Sequence, residues 1–126
     1  MTEKSIQVGD REVRFKVSGA VPRMYRIMFG ADIFVDMDTL QNAYAKNADK
    51  QNASQMSVQV LNIFENVAYI MAKHADPSIP DTIDEWLEQF EIFSIYQILP
   101  VIFELWMDNM KSISESKKNS PLQSVK

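Results

Sequence analysis

The segment from Ile95 to Met107 carries a single charge, Glu104, and sets apolar residues on every face of a helix. A helix that is apolar all round needs cover on all sides. A membrane span takes about 20 apolar residues, and this stretch is shorter and interrupted by Gln97 and Glu104. Two readings stay open: a helix central to a globular core, or one partly exposed to bind a partner or a second subunit. Pro100 removes a backbone donor within it and is expected to kink it.

The rest of the chain supplies the material to cover such a helix. Its 126 residues make room for one domain, with apolar residues at 46% and charged residues at 24%, an ordinary globular balance. Residues 4–18 alternate apolar and polar positions on either side of Gly9-Asp10, which predicts a β-hairpin with one apolar and one basic face. A helix is predicted over about 20–30, with Pro22 in its first turn, Gly30 at its end and Met24, Ile27 and Met28 as its apolar stripe. A second runs over 32–46 on Ile33, Met37, Leu40 and Tyr44. The polar stretch 47–55 reads as a mobile loop.

The helical period is clearest over 56–75, where Val60, Leu61, Phe64, Val67, Ala68, Met71 and Ala75 share a face. Thr82-Ile83-Asp84-Glu85 and Ser94-Ile95-Tyr96-Gln97 are capping-box patterns, opening helices over 82–90 and 94–110. Residues 111–126 are rich in Ser and Lys and read as a disordered basic tail. The expected fold is therefore mainly α: one small helical domain over 1–110 with an N-terminal hairpin, and a flexible tail.

Charge is unevenly spread. Residues 1–26 hold six basic residues against three carboxylates, 27–110 hold three lysines against thirteen carboxylates, and the tail holds four lysines against Glu115. An acidic body disfavours nucleic acid as the main ligand and favours basic or mixed-charge protein partners. Arg11, Arg14, Lys16, Arg23 and Arg26 form the one basic patch, without the interleaved aromatics of a single-strand binder.

Few residues suggest chemistry. There is no cysteine, and His74 is the only histidine, so thiol catalysis, thiolate metal sites and His-based triads are hard to build. Asp36 and Asp38 point about 200° apart on a helix, too far to share an ion. Asp81, Asp84, Glu85 and Glu88 sit where a helix N-terminus favours acids. His74 falls at a helix C-terminus, where a cation is stabilised, and Gly9, Gly19 and Gly30 are too scattered for a phosphate loop. Neither a cofactor nor an enzymatic activity is expected. No secretory signal is read, and the expectation is a cytosolic protein with no membrane partner.

The order of segments resembles the small tail assembly chaperones of long-tailed bacteriophages and prophages of Gram-positive bacteria. The resemblance rests on the hairpin Gly9-Asp10-Arg11-Glu12-Val13-Arg14-Phe15-Lys16, and on Pro22-Arg23-Met24-Tyr25-Arg26 leading to Phe29-Gly30-Ala31-Asp32. It continues through Glu65-Asn66-Val67-Ala68-Tyr69-Ile70-Met71-Ala72-Lys73 and Pro80-Asp81-Thr82-Ile83-Asp84-Glu85-Trp86-Leu87, and covers roughly residues 4–107.

The resemblance implies a non-enzymatic morphogenesis factor in the host cytoplasm, one that leaves before the virion is finished. It would bind the tape measure protein and keep it soluble while tail subunits polymerise around it. It also implies a longer form, made by ribosomal frameshifting near the end of the frame, that recruits the major tail tube protein. Lys117-Lys118 is the candidate slippery region. Ile95, Tyr96, Leu99, Ile102, Phe103 and Trp106 are the residues expected to form the partner-binding or self-association surface, with Tyr96 and Trp106 of the types that anchor interfaces. The competing expectation is a small helical adaptor or regulator that binds another protein.

Overall fold

The computed structural model describes residues 2–46, 57–92 and 94–119. Strands β1 (Thr2–Val8) and β2 (Arg11–Val17) form the expected antiparallel hairpin, with Ile6 opposite Val13 and Lys4 opposite Phe15. Strand alternation sends Ile6, Val8, Phe15 and Val17 into the core and leaves Glu3, Ser5, Gln7, Glu12 and Arg14 exposed or half-exposed on the other face. Gly9 turns the chain at φ +64°, and a Cβ there would lie 2.9 Å from Ser94 Oγ. The turn therefore needs glycine for its backbone angle, and any larger residue would also have to displace the Ser94 hydroxyl.

Helix α1 (Val21–Phe29) has Pro22 in its first turn and ends at Gly30, whose φ is +64° and whose N–H reaches Arg26 O. The apolar stripe of α1 differs from the expected one. Val21 and Tyr25 are the buried pair, Met24 is half-buried, and Ile27 and Met28 face out. A nine-residue helix can bury only one face, and the aromatic ring removes the most surface from water. The Tyr25 hydroxyl then donates to Asp36 Oδ2 at 2.7 Å and ties α1 to α2 (Ile33–Lys46). Ile33, Met37 and Leu40 of α2 are buried and Tyr44 is half-buried, on the stripe expected from their spacing.

Helix α3 (Val58–Ala75) starts at Ser57, whose Oγ accepts the Val60 N–H, and lies at the centre of the fold against β2, α1, α2 and α4. Tyr69, Ile70 and Ala72 are buried along with Val60, Phe64, Val67, Ala68 and Met71, so α3 is enclosed on most sides. Its C-terminus is fastened by two side chains. Lys73 Nζ donates to the carbonyls of Pro77 and Ile79 and to Asp81, and the Tyr69 hydroxyl donates to Pro80 O. Together they hold the loop leading to α4 (Ile83–Leu87).

Thr82 caps α4 through the Glu85 N–H, as the capping-box pattern predicts, but the helix stops at Leu87 rather than 90. Trp86 stacks edge-on against both Tyr69 and Phe90, and tighter turns carry the chain from there, with Gln89 N–H to Trp86 O and Phe90 N–H to Leu87 O.

After the second capping-box pattern the chain does turn helical, from Tyr96, but without a side-chain cap. A 3-10 turn over Tyr96–Ile98 comes first, and helix α5 spans Leu99–Asn119. Pro100 thus stands in the first turn of α5 rather than mid-helix, where its missing donor is one the helix would leave unpaired in any case. The expected kink is not required. At the other end α5 passes the expected limit of 110, since no Gly or Pro interrupts residues 111–119 and the first breaker is Pro121. The rest of the expected tail, 120–126, and the expected loop, 47–55, lie outside the described residues.

Candidate protein-binding surface

The six residues expected to form the binding surface belong to the core. Ile95, Leu99, Ile102, Phe103 and Trp106 are buried, with Ile102 at 0% exposure. Tyr96 is half-buried, its ring against Phe64 and its hydroxyl donating to Glu65 Oε2. Phe103 stacks on Tyr44, and Trp106 on Phe34, both of α2, while β1 and β2 also pack on α5. Hairpin and α2 together supply the cover that an apolar helix requires, so these residues hold the fold.

The apolar surface left to solvent lies elsewhere. Ile27 is 68% exposed and Met28 44% on α1; Phe34 is 50% exposed and Val35 60% at the start of α2; Met107 is 52% exposed on α5, with Met110 beside it one turn on. Phe34 and Met107 flank the seam where α2 crosses α5, since Phe34 touches Trp106 and Gln41 donates to the Met107 sulfur at 3.3 Å. Ile27 and Met28 are the exposed apolar pair of α1. Methionine suits such surfaces because its flexible thioether adapts to different partners.

Two signals in the sequence mark these residues. Phe34 and Val35 interrupt the i, i+4, i+7 stripe of α2 with large apolar side chains, and Ile27 and Met28 sit beside two arginines on a helix too short to bury them.

The basic residues are divided among different tasks. Arg14 pairs with Glu3 at 3.2 Å, Lys4 with Glu104 at 3.7 Å and Lys73 with Asp81 at 2.8 Å, while Arg11 Nε donates to Gln89 O. Arg11 and Arg14 line a polar cleft of about 200 Å³ floored by Trp86, in which Glu12 and Asp76 offset their charge. Arg23 and Arg26 are exposed on α1 and have no ion-pair partner among the described residues. The basic patch read from the sequence is therefore split between a hairpin whose arginines are engaged and a helix whose arginines are not.

The ionisable groups mostly serve structure. The Asp36 carboxylate receives the Tyr25 hydroxyl, whose pKa burial and that carboxylate push well up. Burial and Glu65 push the Tyr96 phenol up to about 12. Hydrogen bonding to Lys73 holds Asp81 low, and Ser78 does the same for Asp76. His74 Nε2 lies 2.7 Å from Ser18 Oγ, which already accepts the Ala20 N–H. Burial, reinforced by Lys16, lowers the His74 pKa. The neutral ring is thus favoured against a hydroxyl at the entry to α1, opposing the helix C-terminus, which favours a cation.

No helix among the described residues is long and apolar enough to cross a membrane. No protein-family model matches the chain, and no curated protein or solved structure matches it significantly.

Proposed function

We propose that this chain is a non-enzymatic tail assembly chaperone that binds the tape measure protein and keeps it soluble during tail assembly. The observation that carries the reading is the exposed apolar surface of an otherwise well-packed domain, with Ile27, Met28, Phe34, Val35 and Met107 all open to solvent. Scattered apolar residues are normal on a surface, but patches of large ones mark protein contacts. A long helical partner with an apolar face is aggregation-prone before assembly, and an adaptable methionine-bearing surface suits transient cover of such a face. The resemblance of the segment order to tail assembly chaperones supplies the identity of that partner.

On this reading the chain works in the cytoplasm of the infected host and is left out of the finished virion. A longer frameshifted form, diverging near Lys117-Lys118, recruits the major tail tube protein.

Co-expression with the large protein encoded downstream tests the proposal. The partner is expected to be soluble, and to co-elute with the tagged chain, only when this chain is present. Unchanged solubility with no co-elution overturns the chaperone reading.

A further inference from the structure

We infer that the outer face of α1 docks an acidic amphipathic helix of the partner, an inference that rests on the chaperone reading and names the surface and charge it uses. Helix α1 is the one place in the described structure where unpaired arginines and exposed large apolar side chains occur together. Going around the helix at 100° per residue, Arg26 and Arg23 are followed by Ile27, Met24 and Met28. One side of the exposed surface is therefore cationic and the other apolar. The helix itself carries no carboxylate.

Asp36 of α2 accepts the Tyr25 hydroxyl, and no ion pair joins it to either arginine. Three of the other cations, Lys4, Arg14 and Lys73, are held in ion pairs, and Arg11 is held by a carbonyl. Residues 27–110 carry thirteen carboxylates against three lysines, so partners for Arg23 and Arg26 are plentiful in the molecule, yet neither is paired among the described residues.

Arginine and methionine are enriched in interface cores, and arginine binds carboxylates through two parallel hydrogen bonds. A helix lying along α1 would set its apolar stripe on Ile27 and Met28 and its flanking Glu or Asp residues on Arg23 and Arg26. The carboxylate-rich body around α1 opposes an acidic partner at long range. The preference must therefore come from short-range pairing at these two arginines, which makes the inference sensitive to them.

The test uses the full chain and two synthetic amphipathic helices about five turns long with the same Leu stripe, one carrying Glu and the other Lys on the polar face. Binding is read by fluorescence anisotropy at low and at physiological salt. The Glu peptide is expected to bind roughly tenfold tighter than the Lys peptide, with R23E/R26E reversing that order. Ile27→Ser is expected to weaken both by several-fold. These side chains are exposed, so each variant is expected to keep the helix content of the wild type by circular dichroism.

A Lys peptide that binds as well as the Glu peptide overturns the inference, because the body charge then governs. Unchanged Glu-peptide binding by R23E/R26E also overturns it. So does short duplex DNA that binds more tightly than the Glu peptide at physiological salt, because the arginines then serve phosphate. In the co-expression assay, full solubilisation by both wild type and R23E/R26E rejects this surface and leaves the chaperone reading intact. A wild type that prefers the Glu peptide yet fails to solubilise the downstream partner rejects the chaperone reading and keeps the surface.

Discussion

Replacing Ile102 and Met107 by alanine, one at a time, compares the two faces of α5 directly. Ile102 is fully buried and Met107 is half in solvent. Ile102→Ala removes three carbons from the core, at about 0.8 kcal/mol each or roughly 2.5 kcal/mol in transfer terms. Incomplete collapse of the cavity raises the cost to about 3–4 kcal/mol. Met107→Ala leaves no cavity and should cost less than about 0.5 kcal/mol. Urea unfolding followed by circular dichroism measures both, and the Ile102 variant should also melt about 10–15 °C lower. A Met107→Ala loss as large as that of Ile102→Ala, or an Ile102→Ala loss under about 1 kcal/mol, would refute the assignment of the two faces.

Thr82→Ala removes the cap on α4 and should cost about 1 kcal/mol in the same unfolding experiment. Tyr96→Phe deletes the hydrogen bond to Glu65. That bond is half in water, so the loss should be about 1–2 kcal/mol, and in an alkaline absorbance titration the variant should lack a phenol ionising near about 12. The folded pKa of His74 is depressed, so the unfolded chain binds its proton first. The stability from this group is complete above its unfolded value, about 6.5, and is lost as pH falls through that value towards the folded one. Wild type should therefore lose more stability than His74→Gln between neutral and mildly acidic pH. Parallel pH dependences of the two proteins would contradict that account.

Local signals account for much of this fold. The alternation around Gly9-Asp10 specifies the hairpin, because two-residue turns that begin with glycine suit its twist. Thr82 with Glu85 specifies the start of α4, and the spacing of Ile33, Met37, Leu40 and Tyr44 specifies the buried face of α2. Each depends on residues close to one another in sequence, so no knowledge of the rest of the chain is needed. Ser94-Ile95-Tyr96-Gln97 carries the same capping pattern as Thr82 yet opens a 3-10 helix with no side-chain cap, because the pattern states only what a helix start could use. The α-helical hydrogen bonding begins only at Leu99, which puts Pro100 in the first turn.

The candidate surface was legible only in part. The 95–107 segment announces that it must be covered, and that much follows from hydrophobicity alone. Whether a partner or this chain supplies the cover depends on where β1 and α2 pass, and those contacts join residues far apart in sequence, as Phe34 joins Trp106 and Lys4 joins Glu104. The structure places the cover within the chain and leaves Ile27, Met28 and Val35 outside it. Similarly, the sequence shows five basic residues near the N-terminus, but not which of them find partners; Glu3 and the Gln89 carbonyl engage Arg14 and Arg11, and no described acid engages Arg23 or Arg26. Periodicity and turn chemistry determined which elements form, because those forces act over a few residues. Which apolar faces stay open and which charges stay unpaired was decided by tertiary packing, because each depends on what another part of the chain brings against it.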